Sequence, residues 1–216
     1  MVVNILGNQN SIFNQFLAEL RNVNIQKDPM RFRKNLERIG EIFAYEISKE
    51  LEYKEVAVTT PLGIANVNLP AVKPVLGTIL RAGLPLHQGM LNYFDGADNC
   101  FISAYRKHHK DGTFEIAIEY ISSPDLNDRI LILADPMLAT AKSMILTYQA
   151  ICKASTPKHT HLVSVIASAD GLAYAKKHLP KNCTLWIGAV DEELTAQAYI
   201  VPGLGDAGDL AFGTKK

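Results

Sequence analysis

The residues whose types and spacing best suit ligand binding or catalysis are the nine of segment 135–143. They combine a carboxylate, several small residues and two hydroxyls directly after the apolar run 130–134. The run favours a strand and the residues after the turn favour a helix. The first N–H groups of a helix lack intrahelical partners, and the helix dipole favours negative charge there. The segment therefore indicates a phosphate cradle, to which Thr140 and Ser143 add donors. In the alternative interpretation, Asp135 only ends a strand and a hydroxyl only caps a helix.

A second segment, 199–209, reads Tyr-Ile-Val-Pro-Gly-Leu-Gly-Asp-Ala-Gly-Asp. Its three glycines allow the backbone to approach a ligand closely. Because it contains so many glycines, the segment is predicted to be neither a regular helix nor a strand. Asp206 places a carboxylate among them. The segment is typical of a loop that binds a ligand mainly through its backbone.

Taken together, the two segments resemble uracil phosphoribosyltransferases, whose phosphate loop reads Asp-Pro-Met-Leu-Ala-Thr-Gly-Gly-Ser and whose tail matches segment 199–209. The resemblance continues in segment 79–84, Ile-Leu-Arg-Ala-Gly-Leu, and in Tyr105-Arg106, and covers roughly residues 50 to 216. Pro136 follows the first acid as in the uracil enzymes, whereas related phosphoribosyltransferases commonly carry two adjacent acids. The resemblance implies transfer of the phosphoribosyl group of 5-phospho-α-D-ribose 1-diphosphate (PRPP) to uracil, which gives UMP and diphosphate in pyrimidine salvage.

For PRPP, the resemblance implies that segment 135–143 holds the ribose 5-phosphate and that Asp135 faces the ribose. Arg81 and Arg106 are implied to bind the diphosphate, for which the guanidinium fork is suited. The full set implied to contact PRPP is Arg81, Arg106, Asp135, Pro136, Met137, Leu138, Ala139, Thr140, Ala141, Lys142, Ser143 and Asp206.

For uracil, the resemblance implies contacts from Ile200, Gly205, Asp206 and Ala207, largely through the backbone. A transition state with oxocarbenium character calls for positioning and electrostatics more than for a covalent nucleophile. Asp135, Arg106 and Asp206 are the implied catalytic residues. Whether Asp206 also assists loss of the N1 proton of uracil stays open at this point.

The implied cofactor is Mg²⁺, bound mainly through the diphosphate, so few protein ligands are expected. The expected partners are uracil, PRPP and at least one further copy of the chain, in a homodimer or higher homo-oligomer. Neither a nucleic acid nor a membrane is expected as a partner.

One pair of residues departs from the family pattern, because Ala141-Lys142 stands where Gly-Gly is usual. If the first position needs a positive φ, alanine is costly there. If that position has a helical φ, alanine is harmless or mildly favourable. Lys142 adds a cation that either strengthens phosphate binding or faces solvent.

The elements that must position these residues follow from hydrophobic spacing. Segments 11–22 and 29–51 predict helices, the second with Asp28 as N-cap, and segments 56–60 and 65–68 predict a hairpin arm. Five short apolar runs then alternate in several places with helix-length segments; the runs are 75–80, 100–105, 130–134, 162–167 and 184–187, and the helical segments are 84–93, 141–153 and 170–179.

This pattern predicts an α/β fold of phosphoribosyltransferase type, with a mainly parallel sheet flanked by helices and ligands at the carboxyl ends of its strands. A single domain is expected, with N-terminal helices (1–54), a hairpin arm (55–70), a core (71–190) and a C-terminal base-binding hood (191–216). Segment 107–113 is predicted to be a mobile hairpin, which makes it a candidate lid over the site.

The composition favours a globular protein in a reducing compartment. Of the 216 residues 48% are hydrophobic, and 22 Lys and Arg balance 22 Asp and Glu, so no basic field argues for nucleic acid. The three cysteines are far apart and form no Cys-x-x-Cys pair, which argues against a zinc site or a disulfide scaffold. With no signal-like start or long apolar span, a cytoplasmic protein is expected.

Three functions compete. The leading one is the uracil enzyme. The second is a regulatory protein that keeps the nucleotide pocket as a sensor, an alternative that the altered loop keeps open. The third is a phosphoribosyltransferase for another base, which the uracil-type tail disfavours.

Overall fold

A computed structural model describes residues 1–104 and 118–214 with their side chains, and the strand backbone of residues 105–108 and 114–117. The predicted lid, segment 107–113, lies outside the described residues apart from the end of one strand. No helix in the described part of the chain has the length and apolarity that crossing a membrane requires.

The described helices are α1 (Ile12–Arg21), α2 (Pro29–Ser48), α3 (Gly83–Leu91), α4 (Lys142–Ile151), α5 (Ala169–His178) and α6 (Ala207–Phe212). The described strands are β1 (Val2–Ile5), β2 (Tyr53–Thr60), β3 (Gly63–Pro70), β4 (Val75–Leu80), β5 (Asp98–His108), β6 (Phe114–Ser122), β7 (Ile130–Ala134), β8 (Met137–Leu138), β9 (His159–Ser168), β10 (Cys183–Asp191), β11 (Glu193–Leu194) and β12 (Ile200–Val201).

The central sheet has the order β1-β10-β9-β7-β4-β5-β6, and β8 pairs with β9. The pairs between neighbouring strands are parallel except for β6, which runs antiparallel to β5. The predicted mainly parallel sheet is therefore confirmed. β1 escaped prediction because it has four residues and its pairing partner, β10, is distant in sequence.

Helices cover both faces of this sheet, as alternation along its strands requires. In β7, Ile132 packs with Phe13 and Phe43 of the first two helices, whereas its neighbour Leu133 packs with Tyr148 of α4. Both faces are thus apolar, which is the pattern of a buried parallel sheet.

The first two long helices begin at the residues that the sequence favours. Ser11 accepts a hydrogen bond from the Phe13 N–H, and Asp28 accepts from the N–H groups of Met30 and Arg31. Pro29 occupies the first position of α2, where no N–H partner is needed.

The hairpin arm forms apart from the main sheet. Strands β2 and β3 pair only with each other among the described strands, and most of their side chains are exposed. The arm extends further in both directions than segments 56–60 and 65–68 suggested, because its register runs from Tyr53 opposite Pro70 to Thr60 opposite Gly63.

Candidate active site

A cavity of about 690 Å³ opens at the carboxyl ends of neighbouring strands. Arg81 follows β4, Ala104 lies in β5 and Asp135 follows β7, and all three line the cavity. The C-terminal segment 205–208 also lines it. The sheet thus brings residues from distant parts of the sequence to one edge, which is where open α/β sheets bind ligands.

The 135–143 loop is held against β9 by its backbone. The Asp135 N–H donates to the Val163 carbonyl at 3.0 Å, and the Pro136 carbonyl accepts from Val165 and Ile166 at 2.9 and 3.0 Å. The Asp135 carboxylate accepts a hydrogen bond of 3.4 Å from the Met137 N–H. These bonds fix the position at which the carboxylate meets the cavity.

The loop then enters α4 through Ala141, which has a φ of 59° and a ψ of −6°. This is the left-handed region, so alanine here is strained, as expected for a position that favours glycine. No side chain caps α4. Thr140 and Ser143 therefore do not cap this helix, and its first N–H groups remain directed toward the loop, which favours an anion.

Two residues behind the loop keep it in place. The Ser168 hydroxyl donates to the Ala139 carbonyl at 2.6 Å and accepts from the Gly171 N–H at 2.8 Å, which also caps α5. A Cβ on Gly171 would lie 2.2 Å from the Ala139 carbonyl oxygen and 2.5 Å from that of Leu138. Only glycine allows the loop to lie so close to the start of α5.

Arg81 enters the site after a cis peptide bond between Leu80 and Arg81. Its Nη2 donates to the Asp209 carboxylate at 2.9 Å, and its Nη1 donates to the Gly213 carbonyl at 3.2 Å. The Arg81 guanidinium, which follows a strand of the central sheet, is thus bound to the C-terminal segment.

The prediction that segment 199–209 forms neither helix nor strand is wrong at both ends. Ile200 and Val201 pair with Leu194 and Glu193, and α6 begins at Ala207. The helix forms because Asp206 caps it, accepting a 2.9 Å hydrogen bond from the Asp209 N–H, and because its apolar residues reach the core. A cis bond precedes Pro202.

The start of this tail is fixed by an ion pair. Arg21 donates two hydrogen bonds to Asp191, at 2.7 and 2.8 Å, and a third to the Gly203 carbonyl at 3.0 Å. The Gly203 N–H donates back to Asp191 at 2.9 Å. Burial raises the cost of the charge on Asp191, but the hydrogen bonds from Arg21 and Gly203 outweigh it, so the pKa of Asp191 lies below its usual value.

The structure brings most of the predicted residues together. Those that line the cavity are Arg81, Asp135, Met137, Ala139, Ser143, Gly205, Asp206 and Ala207. Others lie beside it without lining it: Pro136, Leu138 and Ala141 are buried, Thr140 is half-buried and Lys142 is exposed. Ile200 is buried in the core cluster beneath the tail. The Arg106 side chain lies outside the described residues, and its backbone belongs to β5.

Sequence reasoning assigned no role to several residues that shape the site. Ser168, Gly171 and Asp209 contact the loop, the arginine or the cap, and Gln197 and Tyr199 line the cavity. Only Ser168 carried a usable signal, because a serine at the end of a buried strand and two residues before an acid is typical of a helix N-cap.

The fold and the cavity, with an uncapped helix start, an arginine and carboxylates at the carboxyl ends of parallel strands, define a protein that binds a phosphorylated substrate. The family model described as Uracil phosphoribosyltransferase matches residues 8–214. The chain therefore belongs to the uracil phosphoribosyltransferase family.

Similar proteins agree with this assignment. A Uracil phosphoribosyltransferase of Porphyromonas gingivalis is 53% identical over 210 residues, which cover 97% of each chain. One from Methanothermobacter thermautotrophicus is 41% identical over 188 residues, with 86% of this chain and 85% of the relative covered. The solved structure of the AQ2163 protein from Aquifex aeolicus has a TM-score of 0.86 at 29% identity and covers 98% of each chain.

Proposed function

We propose that the protein transfers the phosphoribosyl group of PRPP to uracil and thereby forms UMP and diphosphate, a reaction of pyrimidine salvage. Family membership supports this reaction. The structural observation that carries the proposal is the meeting of the 135–143 loop, Arg81 and segment 205–208 around one cavity. The three parts match the three tasks of the reaction: holding the 5-phosphate, neutralising the diphosphate and placing the base.

The 5-phosphate is assigned to the start of α4. Its N–H groups receive no side-chain cap, and Ala139 and Ser143 beside them line the cavity. Backbone donors at a helix start suit a phosphate. In this proposal the half-buried Thr140 hydroxyl supplements them, whereas Lys142 faces solvent.

The charges of the reaction are assigned to other residues around the cavity. Arg81 is assigned to the departing diphosphate, together with Arg106, whose assignment rests on the family motif alone. Asp135 is assigned to the ribose, where a carboxylate accepts hydroxyl hydrogen bonds and stabilises positive charge that develops at the anomeric carbon. Uracil is assigned to Gly205, Asp206 and Ala207, with Ile200 supporting them from the core.

The donor set also fits magnesium carried by the substrate. Within the described residues no cluster of three or more His, Cys, Asp or Glu side chains forms a metal site. Mg²⁺ commonly uses one or two carboxylates with phosphate oxygens and water, and Asp135 and Asp206 both line the cavity. When bound, the ion would offset the charge of the diphosphate.

The test is UMP formation from uracil, PRPP and magnesium by the purified protein, with cytosine and orotate in parallel and Asp206→Ala for comparison. Uracil-selective turnover that falls in Asp206→Ala supports the proposal. Binding of uracil or UMP without turnover favours the sensor alternative instead. Turnover of orotate in preference to uracil favours an enzyme for another base.

A role for Asp206 as the base that accepts the N1 proton is a separate part of the proposal. Its Oδ1 already accepts the N–H of Asp209 as a helix cap. Asp206→Asn keeps an oxygen for that bond but removes the base. A pH profile of kcat that matches the wild type, with only affinity altered, contradicts the base role.

The hairpin arm is proposed to bind a second copy of the chain. An isolated two-stranded hairpin is marginal in water. This one exposes several large apolar side chains: Val58, Leu62, Ile64, Val67 and Leu69. Leu62 and Ile64 are 100% and 75% exposed. Sedimentation analysis should show that Leu62→Asp with Ile64→Asp lowers the oligomeric state, whereas Val23→Asp, which changes an equally apolar side chain that is 65% exposed in a different region, leaves it unchanged.

A further inference from the structure

Helix α6 binds the Arg81 guanidinium at both of its ends. Asp209, in the first turn of the helix, accepts a hydrogen bond from Arg81 Nη2 at 2.9 Å. Gly213, directly after the helix, accepts from Nη1 at 3.2 Å. Two nitrogens held in different directions leave the planar guanidinium little freedom to rotate.

Asp209 also contacts a carboxylate that lines the cavity, that of Asp206. Its backbone N–H donates to Asp206 Oδ1 at 2.9 Å. Asp209 therefore joins Arg81 and Asp206, which both line the cavity, although Asp209 itself is not one of the lining residues. The intervening Gly208 fits this arrangement, because a Cβ there would lie 3.2 Å from Asp206 Oδ1 and 3.6 Å from Arg81 Nη2.

The helix that carries Asp209 is anchored from behind. Ala207 and Ala211 are buried in the core, and Arg33 of α2 donates to the Ala211 carbonyl at 2.6 Å. A support of this kind is what a side chain needs in order to fix the direction of another. Asp209 is thus held by the core and in turn holds the Arg81 guanidinium.

The ion pair itself contributes little to folding. The Arg81 and Asp209 side chains are 37% and 33% exposed, and a pair so accessible to water is worth at most about 1 kcal/mol. Its effect on the affinity for a bound anion is larger, because a displaced guanidinium loses the bidentate geometry on which phosphate binding depends.

We propose that Asp209 is a positioning residue that orients Arg81 toward the diphosphate of PRPP and couples this orientation to the Asp206 cap. The proposal rests on the diphosphate role proposed above for Arg81. Asp209 does not occupy the arginine fully, because one carboxylate oxygen contacts one of the five N–H donors of the guanidinium. The Gly213 carbonyl accepts from a second of these donors, and the Arg81 residue still lines the cavity.

The experiment compares Asp209→Ala and Asp209→Asn by steady-state kinetics and by calorimetric titration with magnesium diphosphate. Asp209→Ala is expected to raise KM for PRPP and Kd for magnesium diphosphate about tenfold, with KM for uracil within about twofold. Asp209→Asn keeps an acceptor oxygen for Arg81 and is expected to recover most of that loss. Both variants keep the backbone N–H that binds Asp206.

A double-mutant cycle separates positioning from general damage. In an Arg81→Ala background, Asp209→Ala is expected to change Kd for magnesium diphosphate by less than about twofold, because the residue through which it acts is gone. Asp98→Ala serves as a matched control, since it breaks a partly exposed pair with Arg129 at the start of β5, and is expected to leave Kd unchanged.

Four results would overturn the proposal. Tighter diphosphate binding by Asp209→Ala would show that the carboxylate competes with the substrate. An equal loss with and without Arg81 would show that Asp209 acts elsewhere. If Asp209→Ala binds diphosphate like the wild type while Arg81→Ala binds it more weakly, only the positioning role of Asp209 is rejected. If Arg81→Ala also binds diphosphate like the wild type, the diphosphate role of the arginine is rejected as well.

Discussion

The Ser168 hydroxyl donates a 2.6 Å hydrogen bond to the carbonyl of Ala139, in the middle of the 135–143 loop. Ser168 is fully buried and also caps α5 by accepting the Gly171 N–H. One hydroxyl therefore joins the last residue of β9, the start of a helix and the loop assigned to the 5-phosphate.

Ser168→Ala is expected to lower the free energy of unfolding by about 2 kcal/mol, because it removes a cap and leaves a buried carbonyl without its donor. KM for PRPP should rise as the loop loosens. Urea unfolding and steady-state kinetics measure the two effects. Ser48→Ala removes a similar 2.6 Å bond, to the Tyr45 carbonyl at the surface, and should cost less than about 0.5 kcal/mol. Equal losses in both variants would contradict a special role for Ser168.

Ala141 offers a direct measure of the strain in the same loop. Its φ of 59° is unfavourable for alanine by about 1–2 kcal/mol, and glycine relieves this strain. Glycine also removes a buried methyl and adds freedom to the unfolded chain, which together cost a similar amount. Ala139→Gly also removes a buried methyl and adds freedom to the unfolded chain, since Ala139 is buried in the same loop. It relieves no strain, because Ala139 does not have a positive φ.

We therefore expect Ala141→Gly to be more stable than Ala139→Gly by about 1–2 kcal/mol in urea unfolding. A difference near zero would show that the loop does not hold Ala141 in the left-handed region. Of the two alternatives that the sequence left open, the structure thus selects the one in which alanine is costly.

Lys142 is the other departure from the family pattern, and its side chain is exposed and does not line the cavity. Lys142→Gly and Lys142→Gln should each change KM for PRPP by less than about tenfold. Glutamine removes the charge and keeps a good helix former, so it separates charge from backbone effects. A larger increase in both variants would show that the lysine is a ligand of the phosphate.

The sequence predicted what depends on local pattern. The helices that begin at Ile12 and Pro29, the strands at Val75 and Ile130 and the meeting of Asp135 with Asp206 all follow from spacing, caps or a family motif. The pair of Arg81 and Asp209 did not follow, because its residues are separated by 128 positions and neither type signals the other. The division of the chain into N-terminal helices, arm, core and hood, and its place in the cytoplasm, stay predictions.

The glycine-rich tail shows why composition misled. Gly203, Gly205 and Gly208 lower helix propensity, yet α6 forms with Gly208 inside it, because Asp206 supplies a cap and Ala207 and Ala211 supply a buried face. Tertiary packing overrides a weak local preference here. A short helix of this kind is visible in sequence only when the acid before it is considered as a cap.

A buried acid that does not line the cavity predicts how the protein responds to low pH. Glu19 of α1 accepts hydrogen bonds of 2.8 and 2.9 Å from Arg31, one of 2.7 Å from Asn35 and one of 3.0 Å from Gln15. These bonds, that from Arg31 foremost, lower the pKa of Glu19 from 4.5 to about 2. Since Arg31 and Asn35 belong to α2, the carboxylate joins the two helices that cover one face of the sheet.

The sign of the effect follows from proton binding. Between pH 4.5 and pH 2 the unfolded chain is protonated at this residue and the folded chain is not, so the stabilisation by Glu19 is complete above pH 4.5 and is lost as pH falls toward 2. Glu19→Gln should therefore destabilise the protein at pH 7. Between pH 4.5 and pH 2 the variant should take up fewer protons on unfolding than the wild type, by up to about one. Urea unfolding at a series of pH values measures both quantities. Glu192→Gln, at an exposed position outside the arm, is the control and should follow the wild-type curve. If Glu19→Gln loses stability with acid as steeply as the wild type, Glu19 does not carry this part of the acid sensitivity.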